Sequence, residues 1–285
     1  MGGPASGTRA EGRVAFVLGH RGMLGSLVQR YLRERGHVVL TSEVRYSGRP
    51  SDELVQAVVN SPAEAIVNCL GSTPGSGSSE QEMMAANALL PVHLSRLIGG
   101  RLLIHASTDC VFDGRRGRYR ADEPPNATDA YGLSKGVGEA CVAAGNVVVM
   151  RTSIVGPPAG AGRGLLGWFL GQETAVDGWS DHLWNGITTL AWAELAAITI
   201  EGKGLAPGLH QPTTDRDISK EALLRMFGEV FEHRIEIRPV RTEQAIDRTL
   251  IPTTAMPPFR QQLVELRAWL GRASGSRIPG GRGLP

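Results

Sequence analysis

Cysteine is scarce: Cys69, Cys110 and Cys141 lie far apart and are odd in number, with no C-x-x-C pair and no Cys/His cluster at zinc spacing. A disulfide scaffold and a structural zinc site are thereby excluded, and a reducing, cytoplasmic setting is expected. An excess of either charge is also missing. Thirty Lys and Arg stand against 28 Asp and Glu, a formal net charge of +2, which gives no electrostatic footprint for nucleic acid or an anionic membrane. No stretch approaches the roughly 18 apolar residues of a membrane span, and the opening MGGPASGTRAEG has no apolar signal core. What remains is 285 residues, 41% hydrophobic and 20% charged, enough apolar material for a folded core. The expected partner is a small molecule, with no nucleic acid and no membrane; a homodimer is compatible with the sequence.

Strand and helix patterns alternate from Arg13 onward. RVAFVLG is an apolar run followed by a glycine turn, and in GMLGSLVQRYLRERG the residues Leu24, Leu27, Val28, Tyr31 and Leu32 recur at helical spacing. HVVLT, AEAIVNCLG, RLLIHAST and NVVVMRTSIVG supply further strands; helices are predicted over SDELVQAVVN, EQEMMAANALLPVHLSRLIG and residues 131–144. This alternation predicts an α/β fold, a Rossmann-type doubly wound parallel sheet. After Gly156 glycine and tryptophan become frequent and regular strands are hard to find. The expected organisation is a dinucleotide-binding domain over 13–155, with 186–201 returning to it, and a smaller interleaved substrate lobe from 156–185 and 202–271. Ser219 is a candidate N-cap for the helix ISKEALLRMFGEVF. Residues 1–12 and 272–285, rich in Gly, Ser, Pro and Arg, are expected to be disordered.

Gly19, Gly22 and Gly25 stand between a strand and a helix, where glycine permits a tight turn and lets backbone N–H groups, with Met23 and Leu24 opening the helix, approach a pyrophosphate. After the second strand, Glu43 suits a free ribose 2′-hydroxyl, whereas Arg21 and Arg45 suit a 2′-phosphate. Two arginines against one glutamate favour NADPH, with NADH as the alternative. Asn68, Leu70 and Gly71, ending the third strand, are candidates to line the dinucleotide, although simple strand termination explains them nearly as well.

Tyr131 and Lys135 lie at i and i+4 in YGLSK, so a helix stacks them on one face. An ammonium beside a phenol is expected to lower its pKa and make Tyr131 a usable proton donor. Thr108, at the C-terminal end of the fourth strand, is placed to hold a substrate oxygen against it; Ser107 is the less well aligned of the pair. The chemistry so assembled is hydride transfer from a nicotinamide to a ketone, with Tyr131 as general acid. His105 is expected to be packed, and Trp168, Trp179 and Trp184 to form the core of the second lobe.

These residues resemble the extended short-chain dehydrogenase/reductases, and within them the dTDP-4-dehydrorhamnose reductase group. The resemblance is carried by GHRGMLG, IVNCLG, STDCVFDG, YGLSK, VVVMRTSIVG and GITTLAWAELA, over roughly residues 13–270. It implies Thr108, Tyr131 and Lys135 as catalytic residues, Lys135 also holding the nicotinamide ribose, and a sugar-nucleotide substrate whose 4-keto group is reduced. Asp109, Cys110 and Ile154 are then substrate-side residues. Where the group commonly has tyrosine this chain has Cys110, and where it commonly has tryptophan this chain has Ile154. The GHRGMLGS turn is similar to that of the GDP-fucose synthases, which strengthens the case for Arg21. Those enzymes pair a cysteine with a histidine for epimerisation, but GRGLLGWFLGQE offers Cys110 no such partner. Arg163 is placed to bring a guanidinium to a nucleotide diphosphate. Two other functions share these motifs: a dinucleotide-binding regulatory subunit of another enzyme, and an epimerase or epimerase-reductase.

Overall fold

The computed structural model describes residues 12–158 and 164–273. Arg163 and almost all of the two termini therefore lie outside the described residues.

The first half alternates as β1 (Val14–Leu18), α1 (Met23–Glu34), β2 (Val38–Leu40), α2 (Glu53–Val59), β3 (Ala65–Asn68), α3 (Glu80–Met84), α4 (Leu90–Leu97), β4 (Leu102–Ser107), α5 (Ala130–Gly138) and β5 (Val147–Arg151). There follow β6 (Ile154–Val155), α6 (Leu165–Leu170), β7 (Val176–Trp179), β8 (His182–Trp184), β9 (Ile187–Thr188), α7 (Thr189–Ile200) and β10 (Gly208–His210). The remainder holds β11 (Pro212–Thr213), β12 (Ile218–Ser219), α8 (Lys220–Phe231), β13 (Ile237–Val240), β14 (Ile246–Asp247), β15 (Thr254–Ala255) and α9 (Phe259–Ala273).

A six-stranded parallel sheet in the order β10-β5-β4-β3-β1-β2 is the centre of an α/β fold. Its strands are continuous apolar runs because both faces are covered. Ala15, Val17, Ala65, Val67, Ile104, Val148 and Met150 pack on one side with α1 and α7. Phe16, Leu18, Ile66, Leu103, Val147 and Val149 pack on the other with α2 and α4. Helix α7 has ten of its 12 residues buried, Trp192 completely, so it lacks a polar face and is sequestered among α1, β9 and α9. Strand order reverses beside β1, whose Leu18 pairs with Asn68 of β3; at such a switch point the loops after the strands part into a crevice.

Several elements differ from the sequence expectation. The single helix predicted over 80–99 is interrupted by a π turn at Ala85–Leu89. Pro91 has no N–H and its ring opposes the carbonyl four residues back, at Asn87, so a regular helix cannot pass through. The helix begun at Tyr131 tightens to a 3-10 segment over Glu139–Ala144. The edge strand β10 escapes a pattern search because it is three residues in a Pro/Gly-rich segment. Helix α9 continues through residues 272 and 273, past the expected boundary at 271, driven by burial of Leu263, Leu266 and Trp269. Ser219 does cap α8, accepting from the Ala222 N–H.

The strands after β5, apart from β10, make small sheets: β7 with β13, β12-β8-β14, β6 with β9, and β11 with β15. Trp184 is buried here, whereas Trp168 and Trp179 are 40% and 46% exposed, so only one of the three expected core tryptophans is core. No helix among the described residues is long and apolar enough to cross a membrane.

Candidate active site

The glycine turn closes on the loop after β3. Gly19 adopts φ +74°, and a Cβ there would stand 2.7 Å from the Leu70 backbone N; one on Gly25 would stand 2.2 Å from the Gly19 carbonyl oxygen. Both positions therefore exclude a side chain. Among the described residues no side chain caps α1 at Gly22, and no acid occupies its first turn, so the positive end of the helix at Met23 and Leu24 is open to an anion. This cradle fits a dinucleotide pyrophosphate.

At its outer edge Arg21 and Glu43 form an ion pair, and the His20 Nε2 lies 3.0 Å from the same carboxylate. Burial, then the Arg21 and Arg33 charges, hold His20 below its usual pKa. Arg45 does not join them. It stands near Glu82, whose carboxyl is kept low mainly by hydrogen bonds from Ser79 and in lesser part by Arg45. Asn68 is also otherwise occupied: its Oδ1 accepts from the Leu70 N–H at 3.2 Å and its amide lies 3.2 Å from the His105 Nδ1. Gly71 abuts Asn87, whose Oδ1 would be 3.2 Å from an added Cβ.

Asn87, which no local pattern singles out, sits on the π turn and stitches the two loops together. It receives the Ser72 N–H at 2.9 Å, donates to the Ser72 carbonyl at 2.9 Å and reaches the Ser134 hydroxyl at 3.0 Å, which donates to the Tyr131 carbonyl. Gly132 of YGLSK has a packing reason: a Cβ there would lie 2.3 Å from the Cys110 carbonyl oxygen. The helix carrying Tyr131 is thus pressed onto the turn that follows Thr108.

That turn begins with Thr108 as its cap. Its hydroxyl accepts from the Cys110 N–H at 3.1 Å and donates to Asp109 Oδ1 at 3.1 Å. Asp109 is buried and also receives the Cys110 thiol at 3.6 Å, so its carboxylate orients Thr108. Burial, then Asp109, push the Cys110 thiol up to about 12; it stays protonated near neutrality. Tyr131 is shifted upward too, first by burial and then by Cys110, with a hydrogen bond to Thr108 opposing.

This reverses the expectation that Lys135 lowers the phenol's pKa. The Lys135 ammonium is turned under β4, donating to the Ala106 carbonyl at 2.6 Å, and is not among the charges that move Tyr131. Burial lowers Lys135 itself to about 8, opposed first by Glu139. Spacing at i and i+4 put both residues on one helix face, but the carbonyl of a neighbouring strand decided where the ammonium points.

Behind the site lies a buried network that sequence reasoning did not find. Ser107 donates to Glu139 Oε1 at 2.6 Å, and Arg151 holds both oxygens of Glu139, at 2.8 and 2.6 Å. Arg151 also reaches Gln211 at 3.2 Å, and Gln211 donates to the carbonyls of Tyr119 and Ile251. The only signal was charge inside apolar segments, GVGEA and VVVMR. Ile154 pairs with Ile187 through β6 and β9 and is partly buried.

The match of the RmlD substrate binding domain family covers residues 13–172, more than half of the chain. The probable low-salt glycan biosynthesis reductase Agl14 of Haloferax volcanii is 32% identical over 174 residues, 54% of this chain and 57% of that protein. The dTDP-4-dehydrorhamnose reductase of Mycobacterium tuberculosis is 35% identical over 152 residues, 49% of each chain. The chain thus spans about half the length of the curated relatives it matches. A dTDP-4-dehydrorhamnose reductase from Bacillus anthracis, solved in complex with NADP, superimposes with a TM-score of 0.77 at 18% identity, covering 91% of this chain and 99% of that one. At that identity the superposition speaks for the fold, while the matched stretch contains the glycine turn, Thr108, Tyr131 and Lys135; this chain belongs to the RmlD substrate binding domain family.

Proposed function

We propose that the protein is an NADPH-dependent reductase of the 4-keto group of a nucleotide-diphospho-4-keto-6-deoxysugar. The single observation that supports this most is the meeting of Thr108 and Tyr131 at the carboxyl end of β4, beside a glycine cradle shaped for a pyrophosphate. When bound, the nicotinamide supplies the hydride. Gly19, Gly22 and Gly25 with the first amides of α1 hold the pyrophosphate. On substrate binding the Thr108 hydroxyl turns its single proton from Asp109 to the substrate oxygen. Tyr131, whose raised pKa keeps its proton in place, donates that proton to the oxygen as negative charge develops there. The test is consumption of NADPH with 4-keto-sugar nucleotides on different bases; turnover unchanged in Tyr131→Phe would remove the mechanism.

Cys110 does not support the epimerase alternative, because a thiol held at about 12 is no base near neutrality.

The choice between cofactors turns on Arg21 and Glu43. A ribose 2′-phosphate would take over the guanidinium that Glu43 now holds, whereas a free 2′-hydroxyl would donate to Glu43. Arg21→Ala is expected to reduce kcat/KM for NADPH about tenfold or more, the worth of a charge-assisted hydrogen bond, with little change for NADH. Glu43→Gln is expected to move the preference the opposite way. Steady-state kinetics with both cofactors check this; equal losses for both in Arg21→Ala would take the arginine away from the phosphate.

A further inference from the structure

The small sheet β12-β8-β14 turns a cationic face toward the catalytic turn. In its register Ile218 pairs with Trp184 and Ile246 with His182; continued by one residue, Lys220 falls beside His182 and Arg248 beside Trp184. Residues opposite one another share a face, so Lys220, His182, Trp184 and Arg248 stand together. Contacts agree with this. The Lys220 ammonium is 5.5 Å from the Trp184 ring centroid, and an added Cβ on Gly114 would touch both Ile246 and Arg248, at 2.8 and 3.0 Å. Arg248 Nε donates to the Phe112 carbonyl at 2.9 Å, which seats the face against the segment running from Thr108 to Gly114.

These cations are not spent on carboxylates. Among the described residues neither Lys220 nor Arg248 forms an ion pair, whereas Arg225, Arg238, Arg260 and Arg267 elsewhere on the lobe each hold one. The acids that act on this face, Asp109 on Lys220 and Asp181 on His182, do so without ion-pair contact among the described residues, and an Asp109 oxygen is already shared by Thr108 and the Cys110 thiol. His182 uses Nε2 on the Thr242 hydroxyl at 3.1 Å. The buried Trp184 Nε1 has no acceptor among the described residues. Three Lys220 protons and the two outer nitrogens of Arg248 make a set of donors, and cations gathered with no carboxylate in ion-pair contact carry a standing desolvation cost that an anion would offset.

We propose that this face binds the diphosphate of the substrate, with Lys220 and Arg248 as its principal contacts. The proposal rests on the reductase reading for its ligand, but not for its test. Wild type, Lys220→Met and Arg248→Gln are titrated calorimetrically with dTDP, UDP, GDP and CDP, with and without NADPH, and Arg238→Gln serves as a control on the same lobe. At least one diphosphate is expected to bind wild type and to weaken about tenfold to hundredfold in each variant, as for hydrogen bonds to a charged group. The thermal midpoint and NADPH affinity should hold, and the control should match wild type. Lys220→Met keeps the apolar stem over Trp184, so it reports on charge even if Arg248→Gln disturbs the Phe112 contact. Unchanged affinity in Lys220→Met, or no diphosphate bound by wild type, would overturn the proposal. Lost affinity in the variants with no sugar nucleotide reduced by wild type would retire the reductase reading and leave the anion site standing.

Discussion

Tyr131→Phe is expected to lower kcat by about 10²–10⁴-fold, the range for removing a positioned general acid, while NADPH affinity and thermal midpoint stay near wild type. The ring remains to fill its place against Cys110 and Thr108, so only the proton is lost. The companion expectation concerns pH. Tyr131 is raised, and it keeps its proton throughout the neutral range. The group that titrates near neutrality is Lys135, lowered to about 8 by burial against the opposing charge of Glu139. Below that value its ammonium is charged; as pH rises through it the charge is lost, and with it a charged donor that, on the proposed reading, would hold the nicotinamide ribose. A profile of kcat/KM, which reports the free enzyme, should therefore fall above about pH 8. A profile flat to pH 10 would show that Lys135 does not titrate in the reacting state.

Arg151→Met is expected to destabilise the fold by about 3–5 kcal/mol, the cost of leaving a buried charge without its partner. Glu139 is 5% and Arg151 2% exposed, and among the described residues the only other donor to Glu139 is the Ser107 hydroxyl. For a chain of this size such a loss lowers the thermal midpoint by roughly 10 °C. The double change Arg151→Met with Glu139→Leu should recover much of the loss, because it removes both charges together. Urea unfolding of the two variants decides the matter: a double variant no more stable than Arg151→Met would mean that the network contributes through geometry rather than charge. Because Ser107 precedes Thr108 and Glu139 lies one helical turn beyond Lys135, the single variant should also impair turnover beyond its effect on stability.

How much of the site was legible depends on the range of the interactions involved. Gly19, Gly22 and Gly25, and the i, i+4 placement of Tyr131 and Lys135, are local patterns whose spacing carries their geometry. The contacts of Arg45 and Asn68 are set by more distant segments. Each had suitable chemistry at a suitable strand end, yet Asn68 is consumed by Leu70 and His105, and Arg45 is drawn toward Glu82 on α3. Lys220 and Arg248 were invisible because nothing near them in the chain marks a site; the register of three short strands brings them together.

From residue order alone followed the alternating α/β architecture, the cradle after β1 and the helix bearing Tyr131, since period and glycine placement act over a few residues. Only the folded chain decided that Lys135 turns to Ala106, that Glu139 is clamped by Arg151 and Ser107, and that Lys220 comes within reach of the Asp109 charge. Those outcomes depend on which buried donors and acceptors meet across the sheet, a competition among distant partners that no local pattern encodes.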